Sequence, residues 1–352
     1  LYREANILIL DEPTAVLSPQ EVDSLFEKLT HLKKAQKTIV IITHKLKEIL
    51  AFTDRVTVMR QGLAIETLKT AELTEELLAE KIIGRKRIPL DRIPTQKAPA
   101  PVLKVESLSY KNASGCSLNR VSFAVHPGEI VGIAGIEGNG QKELIEVLAQ
   151  VQRNYTGRVT LNQNEVASLS PYDLKQKGFS LIPPDRHHEG VVLSFSLAEN
   201  AILGHHKEHS LMAGMFLSQD KIQIRTESLI KAFDVRPGDP GLPLGSLSGG
   251  NQQKLVVARE TLPMDGAHPL SFLLAAHPTR GIDIGAIDFI HQHFFKLKSQ
   301  GTGILLISSE LEEILTLSDR ILVLYQGKIV AETPCREASE RQLGLWMTRG
   351  AS

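Results

Sequence analysis

A short apolar strand that runs into a glycine-rich loop and then a helix constrains the fold of this chain most. Residues 130–134 are almost continuously apolar, residues 135–140 contain three glycines, and an apolar helical run covers 144–148. A continuous apolar run is typical of a parallel strand covered on both faces. A strand, glycine loop and helix in this order make a phosphate-binding loop. The sequence therefore predicts an α/β fold with a phosphate-binding loop between a buried strand and a helix.

Another pair of glycines opens a second helix. Residues 247–254 read Leu-Ser-Gly-Gly-Asn-Gln-Gln-Lys, between a Gly/Pro-rich loop and an apolar helical run. Backbone N–H groups at such a helix start form an anion site, because Gly249 and Gly250 have no Cβ to obstruct approach, and Ser248 adds a hydroxyl donor. The pattern predicts a phosphate-binding helix start. For a bare Ser-Gly-Gly, a serine-capped helix would be the better interpretation.

Acidic side chains follow the first apolar run of the chain. Residues 7–10 read Ile-Leu-Ile-Leu and end at Asp11 and Glu12, while the apolar run at 39–42 ends next to His44. In open α/β sheets, ligands bind at the carboxyl edge of the strands. We therefore predict a ligand site at these three side chains. The alternatives are a strand that ends in a solvated turn and a structural histidine.

The block that begins the chain recurs 265 residues later. The recurring pairs include Pro13-Thr14 with Pro278-Thr279, Asp54-Arg55 with Asp319-Arg320, and Gln61-Gly62 with Gln326-Gly327. Such a repeat predicts a tandem duplication. We expect residues 1–85 to be the C-terminal part of the first copy, 86–101 a proline-rich linker, and 102–352 the second copy, with a helical subdomain at about 185–260. We also expect the chain to be truncated at its N-terminus.

Residues 247–254 resemble the signature motif of ABC-type ATPases, and Asp11-Glu12 resembles the Walker B motif of P-loop ATPases. The resemblance implies that ATP and Mg²⁺ are the cofactors. Asp11 would hold Mg²⁺ through water, Glu12 would activate the attacking water, and His44 would contact the γ-phosphate. The signature residues that would bind ATP are Ser248, Gly249, Gly250 and Gln252. Tyr110 would stack on adenine, with an ordinary edge-strand aromatic as an equal alternative, and Asp283 would be the D-loop acid.

The phosphate loop of the second copy departs from the family pattern. Its residues are Gly135, Gly138, Asn139, Gly140, Gln141 and Lys142, and Gln141 occupies the lysine position while Lys142 occupies the Ser/Thr position. One step along a helix turns a side chain by about 100°, so Lys142 is not expected to substitute. Ala276, His277 and Ser309 stand where the first copy has Asp11, Glu12 and His44. We therefore expect the second copy not to hydrolyse ATP at its own site.

In ABC ATPases two domains pair head to tail, and each ATP lies between the phosphate loop of one and the signature of the other. The resemblance implies one competent site, built from Asp11, Glu12, His44 and the signature at 248–250, and one degenerate site. The Asn-Gln-Gln-Lys ending is similar to the sugar and nucleoside importers of this family. The segment Asp185-Arg186-His187 is most similar to the nucleoside importers, with ribose or galactose importers as the alternative. The implied partners are two membrane permease subunits and an extracytoplasmic substrate-binding protein, at the cytoplasmic face of the membrane.

Composition limits the other function classes. Lys+Arg and Asp+Glu are 40 each, so no net field indicates nucleic acid as a partner. Two distant cysteines give no disulfide framework and favour a reducing compartment. No apolar run approaches the roughly 18 residues of a membrane span. A soluble tandem ABC protein acting on ribosomes and a non-catalytic interaction module remain as alternatives.

A group of histidines invites a metal hypothesis. They stand at positions 187, 188, 205, 206 and 209, and no acidic or cysteine ligands flank them at a definite spacing. Metal sites in proteins combine such ligands at short, regular intervals. We therefore predict that these histidines belong to a solvated surface.

Overall fold

A computed structural model describes residues 5–14, 19–43, 45–60, 62–84, 100–112, 115, 117–264 and 269–350. The chain divides into two compact units: residues 1–89 with 281–288, and residues 90–280 with 289–352. The sequence places 281–288 in the second domain instead. These eight residues are a loop and the start of a helix, so they belong to no sheet of the second unit.

The described residues before position 85 form two separate strand pairs and three α-helices. The parallel pair is β1 with β2, and the antiparallel pair is β3 with β4. A small apolar core joins the second pair to the last two helices, around Val58 and Leu78. The elements are β1 (Ile7–Asp11), α1 (Pro19–Lys34), β2 (Thr38–Ile42), α2 (Leu46–Phe52), β3 (Arg55–Arg60), β4 (Leu63–Lys69) and α3 (Glu75–Ile83).

The second unit begins with an antiparallel sheet and the strand, loop and helix predicted from the sequence. Helix α4 starts directly after the glycine loop, and its apolar side chains reach the core. The elements of this half are β5 (Leu103–Lys111), β6 (Ser117–Val125), β7 (Ile130–Ala134), α4 (Gln141–Leu148), β8 (Thr156–Leu161), β9 (Asn164–Glu165), α5 (Pro171–Gln176) and β10 (Phe179–Ile182).

A helical part follows β10, and the rest of the sheet follows the helical part. Helix α7 packs on both α6 and α8. The elements are α6 (Leu197–Ala201), β11 (Met212–Ala213), β12 (Phe216–Leu217), α7 (Gln219–Phe233), α8 (Gly249–Thr261), β13 (Phe272–Ala276), α9 (Ile284–Ser299), β14 (Gly303–Ser308), α10 (Leu311–Leu317), β15 (Arg320–Tyr325), β16 (Lys328–Pro334) and α11 (Glu340–Arg349).

The main sheet of the second unit has six strands in the order β10-β13-β14-β7-β15-β16. All neighbours are parallel except β15 and β16. One apolar core lies between this sheet, helix α4 and the antiparallel sheet β6-β5-β8-β9. Because β13, β14 and β7 pair in parallel, their carboxyl ends lie at the same edge of the sheet. That edge carries the glycine loop.

The two halves of the predicted repeat have the same element spacing. Six elements of the first unit, β1, α1, β2, α2, β3 and β4, each begin 265 residues before β13, α9, β14, α10, β15 and β16. Equal spacing of helices and strands supports the duplication, which remains our prediction. The predicted linker lies almost entirely outside the described residues. Within the described residues, no helix is long and apolar enough to cross a membrane.

Candidate nucleotide site

The glycine pair after Ser248 opens helix α8, as the sequence predicts. Ser248 is exposed and extended, and its carbonyl accepts the first helical hydrogen bond, from Gln252 N–H at 3.0 Å. The hydroxyl of Ser248 makes no cap to the helix backbone and accepts from the Asn251 side-chain amide at 3.0 Å. The N–H groups of residues 249–251 precede that first bond and point out of the helix end. This arrangement can bind an anion such as a phosphate oxygen.

Gln252, predicted as an ATP-binding signature residue, is buried inside the protein. Its Nε2 donates to the carbonyls of Leu247 and Leu244, at 2.9 and 3.3 Å. Its Oε1 lies 3.0 Å from Nε2 of His187. Since an amide oxygen only accepts, this ring nitrogen carries the proton. Gln252 therefore fastens the loop that precedes the helix.

The glycine loop between β7 and α4 is filled by its own glutamine. Gln141 is buried, and its Nε2 donates to the Gly135 carbonyl at 3.1 Å. The Lys142 side chain is 75% exposed and lies 3.8 Å from the Glu146 carboxylate one turn along α4. The lysine therefore points away from the loop, on the side that its helical position predicts.

Asn139 holds the glycine loop against the far end of the chain. Its Oδ1 accepts from Gln326 N–H at 3.1 Å, and its carbonyl accepts from Gly327 N–H at 2.9 Å. Gly138 and Gly140 have φ angles of 90° and 106°, which favour glycine. Loop geometry is thus preserved by contacts that do not require a nucleotide. The sequence shows the asparagine but gives no sign of this anchoring role.

The ends of β1 and β13 share an unusual backbone conformation. Glu12 and His277 have positive φ angles of 42° and 45°. Their N–H groups donate to Ile42 and Ile307, each at 2.8 Å. A bulky residue rarely adopts this region, so the same local strain recurs at matching positions. Asp11 and Glu12 are both exposed at the end of β1, while His44 lies outside the described residues.

His277 occupies the position that Glu12 holds in the first unit. Burial and then Arg280 lower its pKa, which keeps the imidazole neutral. Its Nδ1 accepts from the N–H of Ser309 at 3.4 Å. Ala276, in the position of Asp11, is fully buried and has no side-chain oxygen for a metal. Among the described residues, the two positions that match Asp11 and Glu12 therefore provide no carboxylate at this strand end.

Tyr110 and Asp283 have clear structural contacts. Tyr110 on β5 is half-buried and packs against the apolar core. Asp283 is exposed, and its Oδ1 accepts from Ala286 N–H at 3.0 Å at the start of α9. The adenine contact and the D-loop contact are not decided by these positions and remain predictions.

The histidine surface prediction is wrong for His205, which is only 7% exposed. Its Nε2 lies 3.0 Å from Nζ of Lys175. Burial, followed by the charge of Lys175, lowers the pKa of His205 to about 4. The ring is therefore neutral and part of the protein interior. His187 and His188 are exposed, as predicted, although both make side-chain hydrogen bonds.

A buried charge cluster next to His205 was not predicted from the sequence. The Glu260 carboxylate accepts from Ser180 at 2.9 Å and lies 3.1 Å from Lys175 and 2.8 Å from Arg259. Burial alone would raise its pKa, but the two cations outweigh burial and lower the pKa to about 2. The one signal in the sequence was a charged pair inside an otherwise apolar helical run.

Comparisons with known proteins now identify the family. Residues 118–263 match the model of the ABC transporter family. Over 99% of its length the chain is 41% identical to the guanosine import ATP-binding protein NupO of Bacillus subtilis, 67% of which is covered. It is 37% identical to the nucleoside import ATP-binding protein NupA of Lactococcus lactis, 68% of which is covered. This chain belongs to the ATP-binding proteins of ABC transporters.

Solved structures agree with the fold of an ABC ATP-binding protein. An ATP-binding subunit of an ABC transporter aligns with a TM-score of 0.55 at 22% identity, covering 70% of this chain and all of the other. The P-loop fold predicted from the sequence is thereby confirmed. The chain is also 40% identical to the glucose import ATP-binding protein TsgD13 of Haloferax volcanii, but spans only 63% of that relative.

Proposed function

We propose that this chain is part of a protein that binds and hydrolyses ATP to drive import of nucleosides or simple sugars. One observation carries the proposal: the second unit keeps an open signature helix start at Ser248, while its own loop and strand end have lost the reacting residues. In ABC ATPases a signature acts on ATP held by the other domain. A unit with this combination is therefore useful only if it completes another unit's site.

The competent site of the whole protein would combine side chains from both copies. Asp11 would hold Mg²⁺ through water, because an exposed carboxylate at a strand end is the oxygen ligand that Mg²⁺ prefers. Glu12 would accept a proton from the attacking water, and His44 would contact the γ-phosphate. The helix start at 248–250 would donate its N–H groups to the phosphate oxygens. Bound Mg²⁺ would offset negative charge on the phosphates.

The second site, at the loop between β7 and α4, would not hydrolyse ATP. Gln141 provides no cation for the phosphates, and Ala276 provides no ligand for a metal. Nδ1 of His277 accepts from Ser309 N–H, so in the neutral ring Nε2 carries the proton and can donate one hydrogen bond but cannot act as a base. One hydrolysing site per protein would then supply each conformational cycle.

The partners would be two permease subunits and an extracytoplasmic binding protein. A half-exposed apolar group on the segment after β10, at Val192, Leu193 and Phe195, offers a surface for a permease helix. We propose that the protein acts at the cytoplasmic face of the membrane, as the resemblance to ABC importers implies. The relatives carry names of guanosine, nucleoside, glucose and ribose import, so the proposed substrates are nucleosides or simple sugars.

The test is ATP hydrolysis by the full-length protein with Glu12→Gln or Ser248→Ala. We expect Glu12→Gln to lower the rate by about 10² to 10⁴-fold, because a base is lost. We expect Ser248→Ala to lower it by about tenfold or more, because a donor to the charged phosphate is lost. If Ser248→Ala leaves the rate unchanged, the proposal of a composite site is wrong, and the signature of the second unit takes no part in ATP hydrolysis.

A further inference from the structure

Glu12 has a backbone conformation that its surroundings must hold in place. Its φ angle is 42°, in a region that residues with a Cβ rarely occupy. Such a conformation persists only where the surrounding structure over-determines it. One restraint is the Glu12 N–H, which donates to the Ile42 carbonyl at 2.8 Å. A second group of restraints lies two residues further along the chain, at Thr14.

The side chain of Thr14 fastens this loop to the start of helix α2. Thr14 is only 1% exposed, and its hydroxyl donates to Oε2 of Glu48 at 3.0 Å. Glu48 lies in the first turn of α2, and its side chain is 11% exposed. A hydrogen bond to a charged acceptor is stronger than one between neutral groups. The loop that follows Glu12 is therefore held against α2.

Lys45, at the N-terminal end of α2, makes another link between the same two segments. Its Nζ donates to the Thr14 carbonyl at 3.1 Å and lies 3.6 Å from Oε1 of Glu48. Its backbone N–H donates to Oγ1 of Thr43 at 3.1 Å, which joins the two residues that flank His44. One lysine side chain thus restrains the backbone of Thr14 and the carboxylate that Thr14 contacts.

The second unit has the same threonine bond but a different residue at the lysine position. The Thr279 hydroxyl donates to Oε1 of Glu313 at 2.7 Å, which is the same bond 265 residues later. The backbone at the start of α10 is also similar, since the Glu310 N–H donates to Oγ of Ser308 at 3.0 Å. Glu310 occupies the position of Lys45. A carboxylate cannot donate to a carbonyl, so this residue cannot reproduce the lysine contact.

The difference at this position follows the difference in chemistry at the two strand ends. The unit with Lys45 carries Glu12, and the unit with Glu310 carries His277. The bond from threonine to glutamate occurs in both units, so it does not distinguish them. The lysine contact accompanies the carboxylate. A reacting group that is displaced by about 1 Å can lose about 10²-fold in rate, so an added restraint on a base has a large effect.

We infer that Lys45 is a positioning residue that holds Glu12 in its reactive geometry by fastening the Thr14 backbone. Loss of the lysine leaves the Thr14 hydroxyl bond in place but releases the Thr14 carbonyl. The backbone at Glu12 can then relax from its positive φ angle, which moves the carboxylate. This inference rests on the proposed function for the role of Glu12 as the base.

The test variant is Lys45→Met in the full-length protein, which keeps an unbranched side chain and removes the cation and the donor. The matched control is Lys33→Met. The Lys33 side chain is 44% exposed, against 37% for Lys45, and its Nζ lies 2.6 Å from Asp54. Both variants replace a half-exposed, ion-paired lysine of the first unit. Lys33, however, pairs with the residue before β3 and not with the loop after Glu12.

The first readout is hydrogen exchange at the N–H of Glu12, which requires no ATP hydrolysis. We expect this group to exchange about fivefold faster or more in Lys45→Met, and at the unchanged rate in Lys33→Met. The same exchange rate in Lys45→Met as in wild type would overturn the inference. Equal acceleration in the two variants would also overturn it, because the cause would then be a general loss of stability.

The second readout is steady-state ATP hydrolysis, separated into kcat and KM. We expect kcat to fall about tenfold or more in Lys45→Met while the KM for ATP stays within about twofold, because a displaced base slows the chemical step. Lys45→Arg should restore kcat to within about threefold of wild type, since a guanidinium also donates to a carbonyl. A higher KM with unchanged kcat, or a Lys45→Arg variant as slow as Lys45→Met, would contradict the inference.

The third readout is the same substitution in a Glu12→Gln background, measured as single-turnover phosphate release. Since Lys45 acts through Glu12, we expect Lys45→Met to cause less than about a twofold further loss there. A further tenfold loss would mean that Lys45 acts independently of Glu12, which would refute its positioning role. A wild-type protein that hydrolyses no ATP would instead refute the proposed function, and the exchange result would still decide whether Lys45 holds Glu12.

Discussion

Two strands with similar composition lie in very different surroundings. β1 reads Ile-Leu-Ile-Leu-Asp and β13 reads Phe-Leu-Leu-Ala-Ala, at matching positions of the predicted repeat. Every residue of β13 is buried, whereas β1 alternates between exposed and half-exposed. Ile9 is 66% exposed, and Leu274, its counterpart, is fully buried. The difference therefore does not come from the apolar pattern of the strands.

The difference comes from what lies beside the strands. In the second unit β7 lies between β14 and β15, and it completes one continuous sheet. In the described part of the first unit, no strand pairs with β2 on its other edge, and β3 pairs only with β4. A continuous apolar strand is typical of a sheet covered on both faces. Both units therefore contain an apolar strand that suits a buried position, but among the described residues only β13 of the second unit is buried.

Chemistry at the strand ends gives the largest expected contrast. Glu12→Gln should lower ATP hydrolysis by the full-length protein about 10² to 10⁴-fold, because the carboxylate base is removed. His277→Gln, at the matching position, should change the rate less than about twofold, since this site is proposed not to hydrolyse ATP. Steady-state phosphate release measures both. A large loss with His277→Gln would mean that the second strand end takes part in the reaction.

Core packing gives the next contrast, again with matched positions. Leu274→Ala should destabilise the second unit by about 2 to 5 kcal/mol, because it leaves a cavity in a close-packed sheet. Ile9→Ala should cost less than about 0.5 kcal/mol in this chain, because most of the side chain is in water. Hydrogen exchange at the amides of β13 and β1 reports both changes. A large cost for Ile9→Ala would show that β1 is covered in solution.

Acid should destabilise the second unit through buried histidines. Burial lowers the pKa of His293 to about 4, and burial with Lys175 does the same for His205. The unfolded chain binds these protons near pH 6.5 and the folded chain only near 4, so stability is complete above about 6.5 and falls as pH drops toward 4. Each group contributes at most about 3 kcal/mol to this loss.

Urea unfolding followed by the fluorescence of Trp346, the single tryptophan, reports this unit because it lies in α11. The free energy of unfolding should decline between pH 6.5 and 4, and His293→Gln should flatten that decline. His31→Gln is the control, since His31 is exposed on α1 in the first unit. An equally steep decline in His293→Gln would show that His293 does not cause the loss of stability in acid.

Local sequence patterns predicted the elements, because these patterns act over a few residues. The glycine pair after Ser248 opens α8, and the glycine loop at 135–140 opens α4, both where the sequence predicts a helix start. Lys142 faces water because its direction follows from helix geometry. The family resemblance identified a signature motif at Ser248, and in the structure Ser248 is exposed at the start of α8.

Long-range contacts were the part that sequence patterns could not give. Gln252 turns inward because carbonyls of its own preceding loop and a histidine from 65 residues away surround it. Asn139 is fixed by Gln326, 187 residues later in the chain. Glu260 follows the apolar run 255–258, and its partners Ser180 and Lys175 are known only from the fold. The role of such a polar residue depends on neighbours that are distant in the sequence and become adjacent only in the folded chain.

The smallest expected effects concern the glycine loop of the second unit. Lys142→Ala should change the affinity of this chain for ATP by less than about twofold, because the lysine is 75% exposed and lies near Glu146. Gln141→Lys should raise the affinity by about tenfold, because a cation then occupies the position that contacts the phosphates in P-loop proteins. Titration with a fluorescent ATP analogue measures both, and Glu146→Gln controls for loss of the helix pair. If Lys142→Ala abolishes binding, the lysine reaches the phosphates when ATP is present. The second loop would then be a working nucleotide site, and the contrast between the two units would be confined to hydrolysis.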